Sequence, residues 1–180
     1  MQLAQIPHGL LVRDERLGRL GSLRARIVHA DDFFKGLFET ALTPGDVLTS
    51  IRVPAATAAT RVGFAEFARR HGDYAMVGLA ACARAEGDAL RDIRLVYFGV
   101  GVVPVRARNA ERLLETGDAE AAVAALRTDL HPGGDLQGDL QDDLQDDLQA
   151  SAAVKAHLAG VLLRRVAQQL ASPRIKGVPS

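Results

Sequence analysis

The segment Arg69-Arg70-His71-Gly72-Asp73-Tyr74-Ala75-Met76-Val77 gathers two guanidiniums, a glycine, a carboxylate and a phenol at the mouth of an apolar run. Guanidiniums present planar forks of donors suited to anionic oxygens, and a phenol offers a flat apolar face with a polar tip. A glycine among them permits backbone angles that other residues resist. The segment reads as a strand-to-strand turn carrying groups that can meet an anionic or aromatic ligand. The bland reading of the same residues is a surface ion pair between the arginines and Asp73, worth about 0.5 kcal/mol.

Other chemistries find less support. The histidines (His8, His29, His71, His131 and His157) show no i,i+4 or clustered spacing, which argues against a protein metal site. The single cysteine, Cys82, excludes an internal disulfide framework and cannot hold an iron–sulfur cluster, which takes about four thiolates. It is expected in the core of a strand. Gly99-Val100-Gly101-Val102-Val103-Pro104 follows a strand and precedes a helix, but no βαβ unit stands behind it. It reads as a tight exit turn, with a phosphate cradle only weakly signalled. No Ser/His/Asp or Cys/His constellation can be argued from residue order.

Composition narrows the classes further. The 180 residues carry 22 basic and 22 acidic side chains, so no net field recruits nucleic acid or an anionic membrane. Aromatic content is 4% with no tryptophan, which disfavours base-stacking platforms. No apolar run approaches the about 20 residues that span a bilayer. The stretch Met1–Leu20 carries Arg13, Asp14, Glu15, Arg16 and Arg19 and has no apolar signal core, which argues against a secretory leader. The expectation is a soluble, cytoplasmic globular protein.

The elements that must hold the Arg69–Tyr74 turn follow from patterning. Gly9–Val12 and Arg26–Val28 are weak strand candidates, and Asp31–Phe38 reads as a helical turn or buried loop. Thr43-Pro44-Gly45-Asp46 is a turn, followed by an alternating strand that stops at Pro54. After the small-residue stretch Ala55–Thr60 come three strands, Arg61–Arg69, Ala75–Ala83 and Asp92–Val100, with Glu86-Gly87-Asp88 as a hairpin turn. Helices follow: Pro104 suits a first turn, Val105–Leu114 runs to a Gly117 cap, and Asp118 caps Ala119–Leu126. Ser151 caps a last helix with Val154, Leu158, Val161, Leu162, Val166 and Leu170 on one face, ended by Pro173. The class is α+β, a three-stranded antiparallel sheet packed with a C-terminal three-helix layer. The domains are 1–56 and 57–180, with a low-complexity acidic insert at 133–149. In that insert Leu136, Leu140, Leu144 and Leu148 recur every four residues, a period that drifts ~40° per step on a helix. It reads as a solvated loop or, alternatively, a helical extension.

These blocks resemble, in order, those of the flavin-carrying middle subunit of molybdenum hydroxylases, the group that includes aerobic carbon monoxide dehydrogenase and xanthine dehydrogenase. Arg69–Ala75 resembles their R-R-x-G-D-[YF]-A segment, and Asp32–Leu42 their D-F-F-x-G-x-F-x-T-x-L block. Pro44–Pro54 is similar to P-G-E-[IL]-[IL]-x-x-I-x-V-P, with Asp46 for the usual Glu. Gly99–Arg106 resembles G-G-V-x-x-x-P-x-R with Val100 for a glycine, and Ala150–Arg165 resembles the closing A-S-A-x-x-[KR]-x-x-L-x-x-V-L-x-R-R helix.

The resemblance implies an FAD-binding oxidoreductase subunit that passes electrons from iron–sulfur centres to an acceptor. The molybdenum cofactor would sit on a large partner subunit and 2Fe–2S clusters on a small one. It further implies that Tyr74 lies against the isoalloxazine ring, that Leu48 borders the flavin or its adenine end, and that Arg70 and Asp73 shape a loop at the flavin edge. Glu66 falls where many relatives carry Lys. The two glycine-rich loops that cradle the FAD diphosphate in relatives have no counterpart here, so residues 1–56 correspond to the C-terminal remnant of an FAD-binding domain. Two readings stay open: a flavin subunit or its C-terminal piece, not active in isolation, and a non-catalytic docking remnant that binds no FAD.

Overall fold

A computed structural model describes residues 9–14, 25–70, 72–130 and 150–172. The acidic insert, Pro173, His8, His71, His131 and residues 15–24 lie outside them. The chain forms two compact units, Met1–Ala56 and Thr57–Ser180.

In the first unit, β1 (Gly9–Asp14) lies between β2 (Ala25–His29) and β5 (Asp46–Arg52), antiparallel to both. The one-turn helix α1 (Ala30–Phe33) follows β2, and β3 (Phe34–Gly36) pairs with β4 (Glu39–Thr40). Val28 and Phe33 are buried, with Ala41, Leu42 and Leu48 packed against them. The turn into β5 is closed by Asp46, whose Oδ2 accepts from the Thr43 backbone N–H (2.8 Å), the Thr43 hydroxyl (3.0 Å) and Arg26 Nη2 (2.7 Å). Arg26 Nη2 also donates to the Ala41 carbonyl at 2.6 Å. The Thr43 N–H first, and then the Arg26 guanidinium, hold the Asp46 carboxyl down at about 2.

The second unit carries one antiparallel sheet of β6 (Thr60–Ala68), β7 (Ala75–Glu86), β8 (Ala89–Phe98) and β9 (Val105–Arg106), in that order. Period-two alternation sends Val77, Leu79, Ala81 and Ala83 of β7, and Ile93, Leu95 and Tyr97 of β8, to one buried face. Against that face pack α2 (Arg108–Glu115) and α4 (Ala152–Ala171), and α3 (Ala119–Asp129) packs on these two helices. This is the expected α+β architecture, sheet first and three helices after, with a short fourth strand added.

Four local expectations are corrected. The first helix begins at Arg108 rather than at Pro104 or Val105, because Val105 and Arg106 pair with Tyr97 and Val96. That pairing is pinned by Glu111, 6% exposed, which accepts from the Leu95 N–H (2.9 Å) and binds the Arg106 guanidinium through both oxygens (2.8 Å each). The expected α4 face holds at Leu162, Val166 and Leu170, all buried, but fails at its start, where Val154 is 47% exposed while the neighbouring Lys155 is buried. The buried stripe runs through Ala159, Leu162, Leu163, Val166 and Leu170. Cys82 is exposed on the sheet face away from the helices, since it alternates with buried Ala81 and Ala83. The turn between β7 and β8 is the Gly87–Asp88 pair, so both strands run longer than expected.

Side chains close the sheet's edges and the helix ends. Along β6, the Gln169 amide of α4 accepts from Phe64 N–H (2.8 Å) and donates to Phe64 C=O (3.2 Å), copying a neighbouring strand. Gly63 permits this approach, since a Cβ there would stand 2.8 Å from Val166 Cγ1. Along β8, Glu115 accepts from Ile93 N–H at 3.0 Å. Asp129 caps α2 from outside, taking the Asn109 and Ala110 N–H groups at 3.0 and 2.9 Å. Asp118 and Ser151 cap α3 and α4 as expected, and Gly117 takes φ +86 after α2. The buried Tyr97 hydroxyl donates to the Ala159 carbonyl at 3.0 Å, tying β8 to α4.

Candidate functional site

The β6–β7 connection is a tight turn. Asp73 N–H donates to the Arg70 carbonyl at 3.2 Å, and Gly72 adopts φ +83. A Cβ at Gly72 would meet nothing within 4 Å, so the glycine serves the backbone angle and not a close contact. Asp73 Oδ1 accepts from the Tyr74 N–H at 2.9 Å. Its carboxylate is therefore engaged in shaping the turn. That bond orients the start of β7 and leaves Tyr74 85% exposed, its ring bare to the solvent.

Beside this turn lies a wide depression of about 410 Å³, lined by Glu66, Ala68, Arg69, Arg70 and Gly72. Glu66 reaches it because it shares the helix-free face of the sheet, opposite Gly78 of β7. The same face continues through Phe64 and Phe98, whose rings stack at 6.0 Å and 19°. Phe98 lies over Gly78, where a Cβ would fall 2.0 Å from the ring. Val62, Ala80, Cys82 and Val96 extend this face, with Arg94 standing opposite Cys82. Gly99 takes φ +74 and would place a Cβ 2.8 Å from the Met76 carbonyl, so it packs the exit of β8 against β7.

Four of the sequence-derived residues thus fall on one stretch of the second unit. Glu66 and Arg70 line the depression, and Asp73 and Tyr74 complete its turn. Leu48 belongs to the first unit, where it packs on Val28 and Phe33. Sequence reasoning passed over Gly78 and Phe98, which floor the open face. A glycine inside a strand signals a close approach, and that signal was present. Chemically, the turn offers a flat ring for stacking, and among the described residues the depression is lined by the charged side chains of Arg69, Arg70 and Glu66. Among the described residues, no group of three His, Cys, Asp or Glu side chains is placed to hold a metal ion. Nor is any helix among them long and apolar enough to cross a membrane.

The family described as the CO dehydrogenase flavoprotein C-terminal domain matches residues 63–170. The glyceraldehyde dehydrogenase medium chain of Sulfolobus acidocaldarius is 39% identical over 88 residues, covering 49% of this chain and 31% of the relative. The carbon monoxide dehydrogenase medium chain of Afipia carboxidovorans is 28% identical over 151 residues, 81% of this chain and 48% of the relative. A carbon monoxide dehydrogenase structure from Hydrogenophaga pseudoflava, lacking the Mo-pyranopterin moiety, superposes with TM-score 0.72 at 27% identity, over 91% of this chain and 52% of that one. The chain spans about half the length of these relatives or less.

Proposed function

Since the chain belongs to the CO dehydrogenase flavoprotein C-terminal domain family, we propose that it forms part of the FAD-carrying medium subunit of a molybdenum hydroxylase complex. The observation that carries this reading is the exposed Tyr74 ring, presented by the Gly72 turn beside a depression that Arg69 and Arg70 line. These residues fit one wall of a flavin site. A phenol 85% exposed can stack on an isoalloxazine face and exclude water from it. The guanidiniums supply donors for anionic oxygens, and Asp73 holds the turn that aims the ring. FAD, when bound, would supply two-electron storage between the iron–sulfur centres and the acceptor. Residues 1–56, with Leu48, would contribute the remnant of the FAD-binding domain. A molybdenum-cofactor large subunit and a 2Fe–2S small subunit are the partners this reading requires, in the cytoplasm.

The test is an FAD titration followed by visible absorbance, on the chain alone and with any subunits that co-purify. Saturable, stoichiometric flavin binding is expected. Tyr74→Ala should weaken it about fivefold, from about 1 kcal/mol of lost ring stacking. A protein that stays colourless in both preparations overturns the flavin reading and leaves the docking remnant.

A further inference from the structure

We infer that Gly99 is a positioning residue for Tyr74: lacking a side chain, it backs a β-bulge at Met76 and so fixes the direction from which the Tyr74 ring meets a ligand. The inference rests on the flavin reading proposed above and deepens it. It gives the first glycine of the Gly99-Val100-Gly101 motif a task at the site.

Tyr74 enters β7 between two backbone devices. Before it, Asp73 Oδ1 accepts from the Tyr74 N–H at 2.9 Å, and Gly72 supplies the positive φ of the turn. After it, the strand is irregular. Phe67 stands opposite Val77 but Ala68 stands opposite Ala75, so Met76 is one residue more than β6 can match. A bulge of this kind bends its strand, increases the local twist and re-aims the side chains beside it. Because side chains alternate along a strand, it also reverses the face that Ala75 addresses. Ala68, the partner of Ala75, lines the depression, so the bulge stands at the edge of the proposed site.

The extra residue of a bulge is left unpaired in the ladder and needs support from elsewhere. Gly99 provides it from the neighbouring strand. It follows Phe98, whose partner is Gly78, and takes φ +74, which turns the chain inward to bury Val100. A Cβ at Gly99 would stand 2.9 Å from the Ala75 carbonyl oxygen and 2.8 Å from that of Met76. Both are backbone atoms, which cannot swing aside as the tip of a side chain can. Any larger residue at 99 must push the Ala75–Met76 backbone away from β8, and Tyr74, one residue earlier, moves with it. Stacking on a flat ligand then fails although the ring is still present.

The experiment compares wild type, Gly99→Ala, Gly99→Asn, Tyr74→Ala and the Gly99→Ala/Tyr74→Ala double variant, each as the full chain with its co-purifying subunits. FAD affinity is measured by titration, and the emission of the bound flavin by fluorescence, since a stacked phenol quenches it. Urea unfolding reports on the fold separately. Gly99→Ala is expected to weaken FAD binding as Tyr74→Ala does, about fivefold, and to brighten the bound flavin. The double variant should bind no more weakly than Tyr74→Ala alone, whereas independent effects would multiply to about 25-fold. Asparagine tolerates a positive φ yet carries the same Cβ, so Gly99→Asn should behave as Gly99→Ala does. In the wild-type chain without flavin, amide order parameters from Tyr74 to Met76 should match a rigid strand, at about 0.85. That measurement needs no substitution and decides the matter even where Gly99→Ala does not fold. Effects that multiply in the double variant, wild-type binding by Gly99→Asn, or order parameters below about 0.6 overturn this inference and leave the flavin reading standing. A wild type that binds no FAD overturns both.

Discussion

The two units of this chain solve the problem of burying a sheet very differently. In Thr57–Ser180, one apolar cluster runs from Val77 to Leu170, and side chains of the helices satisfy backbone groups along both edges of the sheet. In Met1–Ala56, the buried cluster among the described residues is Val28 and Phe33. Phe34 is 50% exposed there, Ile51 63%, Val53 81% and Phe38 98%. Phe38 also takes φ 60, a conformation that bulky side chains seldom adopt. Among the described residues, the second unit is held by one continuous apolar core, whereas those of the first show the small Val28–Phe33 cluster and the Arg26–Asp46–Thr43 clamp.

The comparison can be broken most directly in the core. Leu162→Ala removes a fully buried side chain of α4 and should destabilise the second unit by about 3 kcal/mol in urea unfolding, the usual range for such cavities. Gly78→Ala places a methyl 2.0 Å from the Phe98 ring, and the displaced ring should cost about 2 kcal/mol. Gln169→Ala strips the partner from Phe64 N–H and C=O; about 1 kcal/mol is expected, with hydrogen exchange at the Phe64 amide rising ahead of the rest of β6.

In the first unit the informative variable is acid. The Asp46 carboxyl lies at about 2 in the folded chain against an ordinary 3.8, so its bonds stabilise the turn fully above the ordinary value. That contribution fades as pH falls through about 2, and the Thr43 amide shift should report it. Asp46→Asn should abolish the step. The smallest effect is expected at Ile51→Ala, within about 0.5 kcal/mol, because the side chain is mostly in water already. A loss of several kcal/mol there would show that Ile51 is packed far more closely than its exposure of 63% implies.

What was legible in the sequence follows the same divide. Strands β6 to β8 announced themselves because Val62, Phe64, Phe67 and the Gly87 turn give local, periodic signals. The caps Asp118 and Ser151 are local too. The errors arose where a distant residue decides the outcome. Val105–Arg106 is a strand only because Tyr97 and Val96 pair with it, and Glu111 secures the pairing from five residues ahead. In β7, a run of small residues carries little information about faces, so Cys82 read as core. Alanine-rich α4 left its buried stripe ambiguous by one residue, and Lys155, whose stem can lie along apolar surface, fell inside it. At the site, Gly72 and the Asp73–Tyr74 pair were legible as a turn. The depression was not, because it depends on Glu66 arriving from β6 by register.

The Gln169 amide has a consequence beyond its own two bonds. It makes the docking of α4 and the sealing of β6 a single event, so the chain cannot peel back its last helix without baring a template for further strands. That template would sit beside a bare apolar sheet face bearing Val62, Phe64 and Phe98. Loss or proteolytic trimming of the final helix would then convert a folded unit into a seed for polymerisation. One carboxamide, 105 residues away from the strand it guards, thus couples the docking of the last helix to the closing of that edge.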